Sequence, residues 1–71
     1  MFSSFNLANG RLEIRTTQQD DRRWFAEYRF TPNGGHATGW AKAAIPEGFI
    51  SAELAFSAGI LLGQQRAELA N

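Results

Sequence analysis

The chain has 71 residues and a mass of 7.9 kDa; 44% of it is hydrophobic and 20% charged. This is one domain, residues 1–71, with enough apolar content to fold. Seven basic and seven acidic side chains cancel and cysteine is absent, which excludes polyanion binding by bulk charge, a disulfide framework, a thiol nucleophile and a thiolate metal site.

Asn9-Gly10 is the sharpest local signal. It sits between Phe5-Asn6-Leu7-Ala8 and Arg11-Leu12-Glu13-Ile14. Asn-Gly suits the two-residue loop of a type I′ hairpin, where both positions need positive φ. The register that follows pairs Ala8 with Arg11, Leu7 with Leu12, Asn6 with Glu13 and Phe5 with Ile14. Apolar pairs then share one face and polar pairs the other. Gln19-Asp20-Asp21 reads as the next turn. Arg22 to Thr31 alternates, with Trp24, Ala26, Tyr28 and Phe30 on one side and Arg23, Phe25, Glu27 and Arg29 on the other. Pro32-Asn33-Gly34-Gly35 is a dense turn cluster.

Ala37 to Ile45 reads as the last strand. Gly39, Ala41, Ala43 and Ile45 form one side; Thr38, Trp40, Lys42 and Ala44 form the other. A helix lying on a sheet needs room, so the small set is expected beneath it. After Pro46-Glu47-Gly48 comes a helix. Pro46 could be its first residue, or Ser51 could cap it with Glu53 in the first turn. It should run to about Leu69. The expected fold is α+β: an antiparallel three- to four-stranded β-meander with one C-terminal α-helix packed on one face (β-β-β-β-α). In topology alone this resembles the sheet-plus-helix of arm-type integrase and AP2-like DNA-binding domains, a likeness that carries no function by itself.

The helix has more apolar surface than one partner needs. At 100° per residue, Phe49, Phe56, Ile60 and Ala67 share a stripe, with Ala52, Gly59 and Gly63 beside it; Ile50, Leu54 and Leu61 form a second stripe roughly 120° away. Ser51, Ala55, Gly59, Gly63 and Ala67 recur every four positions, and small residues at that spacing admit a close neighbour. Ordering a residue costs roughly 1.5 kcal/mol, and a domain this small has little buried surface to offset it. Association is the expected supplement. The reading is a homodimer, with Ile50, Leu54, Ser57 and Leu61 as its interface. The competing reading is that Phe2 and Phe5 fold back over the second stripe.

The helix-free face of the sheet should carry Arg11, Glu13, Arg15, Arg23, Phe25, Glu27, Arg29, Trp40 and Lys42. That is five basic against two acidic residues, a local +3 balanced by −3 elsewhere. Arg11, Arg15, Arg23, Phe25, Arg29, Trp40 and Lys42 are the candidate ligand-binding face, because cations interleaved with aromatics combine phosphate contact with stacking. The same pattern also describes an ordinary exposed sheet held by cross-strand charge pairs and arginine–aromatic stacking.

Catalytic chemistry is short of parts. His36 follows two glycines in a turn and has no second histidine or cysteine to work with. Asp20-Asp21 lack the further oxygen ligands that a hard cation requires. Asn33-Gly34-Gly35 is followed by neither lysine nor helix start, unlike a phosphate loop. Ser51 and Ser57 have no base. No catalytic, metal or cofactor residues are therefore assigned and no cofactor is expected. The longest apolar stretch, Phe49 to Gly63, spans 15 residues and contains Glu53, short of the roughly 20 needed to cross a bilayer. Met1 to Gly10 has no positive charge and no continuous apolar run, so a secretory signal is not expected. The sequence reads as a cytoplasmic, non-enzymatic interaction module that pairs with itself or a protein partner without engaging a membrane; the alternative is a nucleic-acid-binding module using the basic and aromatic face.

Overall fold

Four strands and one helix follow each other along the chain: β1 (Phe2–Leu7), β2 (Gly10–Gln18), β3 (Trp24–Pro32), β4 (Ala41–Ala43) and α1 (Ala52–Leu69). A computed structural model describes residues 2–37, 39–43 and 47–69. The strands form one open antiparallel sheet in the order β1-β2-β3-β4. The helix lies on one face with its backbone over β2, β3 and β4, and meets β1 through the Phe56 side chain. This is the α+β meander expected from the alternation.

The first hairpin is offset from its expected register by two residues. Leu7 pairs with Gly10, Phe5 with Leu12 and Ser3 with Ile14, so Ala8-Asn9 forms the loop and Gly10 opens β2. The positive-φ positions among the described residues are Arg22 (68°), Gly34 (73°) and Gly48 (78°), so this turn is not type I′. Space, not φ, requires glycine at position 10: a methyl group there would run into the Thr31 carbonyl oxygen and the Phe30 ring. Asn9 serves elsewhere. Its Nδ2 donates to the Ala67 carbonyl at 2.9 Å, tying the hairpin tip to the last helical turn. A slip of two residues keeps every side chain on its face, so the inward and outward sets survive the correction.

Leu12, Ile14, Ala26, Phe30 and Ala43 point under the helix and are buried. Against them α1 sets its small residues: Ala55, Gly59, Gly63 and Ala67 are its buried positions. A methyl group at Gly59 would sit 2.9 Å from Ile14 Cγ2, and one at Gly63 2.5 Å from Leu12 Cδ1. The helix backbone thus approaches the sheet closely, and this contact offsets the poor helix propensity of glycine. The small ridge is therefore spent on the molecule's own sheet and gives no support to a partner interface. Phe56 and Ile60 flank it half-buried, with the Phe56 ring centroid 6.2 Å from that of Phe5. On the other flank Ala58 and Leu62 join Trp24, Tyr28 and Phe49 around Ala26, Ala43 and Ala55.

The ends follow local chemistry. Asp21 Oδ1 accepts from the Arg23 amide at 3.0 Å in the β2–β3 turn. Gly35 N donates to the Pro32 carbonyl at 3.0 Å, closing the β3–β4 turn. Ser51 Oγ accepts from Leu54 N at 3.2 Å, so Ser51 caps the helix as one reading expected. The alternative start at Pro46, and the expected facings of Thr38, Ala44 and Ile45, lie outside the described residues. The last strand is described over three residues where nine were expected; beyond it, Phe49 continues the pairing with two backbone hydrogen bonds of 2.7 Å to Trp24.

Candidate functional site

Two surfaces follow from this fold: the sheet face without the helix, and the helix side without the sheet. Strict alternation sends Arg11, Glu13 and Arg15 of β2, Phe25, Glu27 and Arg29 of β3, and Lys42 of β4 to the helix-free face. The register sets Glu13 opposite Arg29 and Arg15 opposite Glu27. Both pairs close. Arg15 Nε donates to Glu27 Oε1 at 3.0 Å, and Arg29 Nη2 lies 2.9 Å from Glu13 Oε1. Opposite charges directly across an antiparallel pair are the favourable arrangement.

Trp40 lies over this checkerboard. The guanidinium carbons of Arg15 and Arg29 are 4.0 and 4.5 Å from its ring centroid. Phe2 meets the same indole edge-on, with centroids 6.4 Å apart. The outer face thus has a small organised layer of its own: an indole on two arginines, each held by a glutamate. Lys42 Nζ lies 4.9 Å from the Phe25 ring. Arg11 is exposed, and Arg23 is half-buried where Gly48 packs against it and Phe25. All seven residues assigned to this face from sequence lie on it or at its margin. Two of its five cations are committed to carboxylates and indole together, which lowers what the face can offer to phosphate.

The helix side turned away from the sheet is the second surface. Leu54 and Leu61 are 50% and 58% exposed, and Ser57 between them is exposed too; Ile50, expected on the same stripe, is 71% exposed but precedes the Ser51 cap and so lies outside α1. Phe5 stays beside Phe56, and Phe2 lies across the sheet with Trp40. Neither phenylalanine covers the stripe, so the fold-back reading of the two N-terminal phenylalanines is corrected. Its cause is parity: Phe2 and Phe5 are three apart on one strand and must point to opposite faces.

The chain matches no family model, no curated protein and no solved structure. Its own geometry therefore carries the functional reading. The concave places are open hollows, one of about 340 Å³ between the β1–β2 tip and the helix end, lined by Leu7, Asn9, Gln64, Ala67 and Glu68. Among the described residues no three His, Cys, Asp or Glu side chains gather as a metal site, and no helix is long and apolar enough to cross a membrane. His36 lies on an exposed segment after the β3–β4 turn. Sequence reasoning left Phe2 out of the outer face. Alternation would have placed it there once β1 was counted back from Phe5 and Leu7.

Proposed function

We propose that the protein is a non-enzymatic interaction module that acts as a homodimer through the outward side of α1. The observation that carries this is the exposure of Leu54 and Leu61 on a helix whose opposite side already has its partner, with exposed Ile50 just before the Ser51 cap. Within α1, Leu54, Ser57 and Leu61 are spaced three then four, the spacing of a seam between two helices. An antiparallel pair sets Leu54 of one copy on Leu61 of the other, with Ser57 and Ala58 near the twofold axis where small side chains allow close approach. In that arrangement Glu53 of one copy lies beside Gln64 of the other, so no like charges face each other. Such a contact adds the buried apolar surface that a 71-residue chain is short of.

Sedimentation equilibrium tests this. The mass should rise toward two chains across micromolar concentrations, and over that range Leu61→Glu should hold the protein at one chain with an unchanged circular dichroism spectrum. A wild-type chain that remains single at high micromolar concentration refutes it. Nucleic-acid binding through the outer face is the weaker reading, because Arg15 and Arg29 are already paired and stacked. It requires salt-dependent binding of oligonucleotides that Arg11→Ala and Lys42→Ala weaken.

A further inference from the structure

The two edges of the sheet are unequal. β4 carries Lys42 at its centre, a side chain that discourages edge pairing. β1 reads Phe-Ser-Ser-Phe-Asn-Leu: six residues with no charge, no proline and no glycine. None of the usual devices that blunt an edge is present in it.

Backbone direction along β1 follows from the ladder. Asn33 N donates to the Asn9 carbonyl at 3.0 Å, so the odd-numbered residues of β2 turn their backbone groups toward β3 and the even-numbered ones toward β1. Ser3, Phe5 and Leu7, opposite Ile14, Leu12 and Gly10, therefore bond to β2. Phe2, Ser4 and Asn6 direct their N–H and C=O groups outward past the edge. Among the described residues nothing pairs with them there. The helix backbone stops short of this strand, and Phe5, beside the Phe56 ring that reaches over from the helix, remains 38% exposed. The inner face next to the edge is thus an apolar ledge about one strand wide.

We propose that β1 is a second self-association surface, and that its occupant is β1 of another copy, added antiparallel to make a continuous eight-stranded sheet. An uncharged strand meets itself without repulsion. The register that keeps both faces sets Ser4 opposite Ser4, Phe2 opposite Asn6 and Ser3 opposite Phe5. It makes about six backbone hydrogen bonds and brings the two Phe5 rings into diagonal neighbourhood between the two Phe56 rings. At one hydrogen bond per 100–200 Å², that is roughly 600–1,200 Å², at or below the lower edge of a standard interface. The pairing is accordingly weak by itself. Its twofold axis runs along the sheet normal, whereas an antiparallel helix pair has its axis in the plane of the sheet. Perpendicular twofold axes close a tetramer where they intersect. The edge contact does not depend on the helix contact.

Residue-resolved amide exchange in the Leu61→Glu background isolates it. The amides of Ser4 and Asn6 should exchange fast in micromolar protein, where the variant is a single chain, and several-fold slower in millimolar protein. Those of Ser3 and Phe5, bonded to β2, should be slow at both. Ser4→Pro removes only an outward donor and should abolish the concentration dependence; Ser4→Lys should do the same by charge. Ser4 and Asn6 amides that exchange at the unprotected rate at every concentration, in a folded chain, overturn the proposal. So does concentration dependence that survives both substitutions. The Leu61→Glu background keeps the outcome separate from that of the helix interface.

Discussion

Replacing Gly63 by alanine sets two physical effects against each other. Alanine in a helix interior is favoured over glycine by about 1 kcal/mol, so a helix free on that side should be stabilised. The added methyl group would lie 2.5, 3.0 and 3.3 Å from Cδ1, Cδ2 and Cγ of Leu12, well inside the roughly 3.5–4.0 Å at which carbons attract. Leu12 is 1% exposed and has no solvent to turn into. Overpacking a filled core costs about 1–3 kcal/mol, and three carbons of one trapped side chain place this clash in the upper half of that range. The net expectation is a loss of about 1–2 kcal/mol, since propensity returns only about one. Thermal unfolding reads this as a fall of about 4–8 °C per kcal/mol for a domain of this size. Gly59→Ala is milder, with Ile14 Cγ2 at 2.9 Å and Ala26 Cβ at 3.4 Å, and should be close to neutral. Gly39→Ala meets nothing within 4 Å and should cost nothing. A Gly63→Ala chain that melts higher than wild type would show that the small ridge does not lie against the sheet.

Two further outcomes follow from the outer face and the hairpin tip. Trp40→Ala removes the ring stacked on Arg15 and Arg29 and the edge contact of Phe2. At about 0.5–1 kcal/mol per cation–π contact plus the lost packing, stability should fall by about 2 kcal/mol in urea titration, while α1 keeps its helical signal. Asn9→Ala deletes the hydrogen bond to the Ala67 carbonyl, at a cost of about 0.5–1.5 kcal/mol. Faster amide exchange should then be confined to the last helical turn.

Side-chain facing was the legible part of the fold, because alternation is a local property. Period alone separates Trp24, Ala26, Tyr28 and Phe30 from Arg23, Phe25, Glu27 and Arg29, whereas the outward facing of Trp40 and Lys42 also needs the argument that a helix requires room over small residues. Hairpin register was not legible. Asn9-Gly10 suggested a turn by its own chemistry, whereas the constraint on Gly10 comes from Thr31 and Phe30, twenty or so positions along the chain. The role of the small ridge was ambiguous for a similar reason. A row of glycine and alanine signals close approach without saying to what, and only the position of Leu12 and Ile14 under Gly63 and Gly59 decides it. The outer face was legible in composition but not in commitment, since the pairing of Arg15 with Glu27 and Arg29 with Glu13 depends on the β2–β3 register. The bare edge of β1 was invisible until the strand order put it at the margin.

The small residues of α1 seat it on the sheet, and the proposed dimer uses its aliphatic side. An isotope-filtered NOE experiment on a one-to-one mixture of labelled and unlabelled chains at high concentration tests this at the methyl groups. Intermolecular cross-peaks between Leu54 and Leu61 are the expected result. Methyl signals of both leucines that show no intermolecular contact and do not shift with concentration would contradict it.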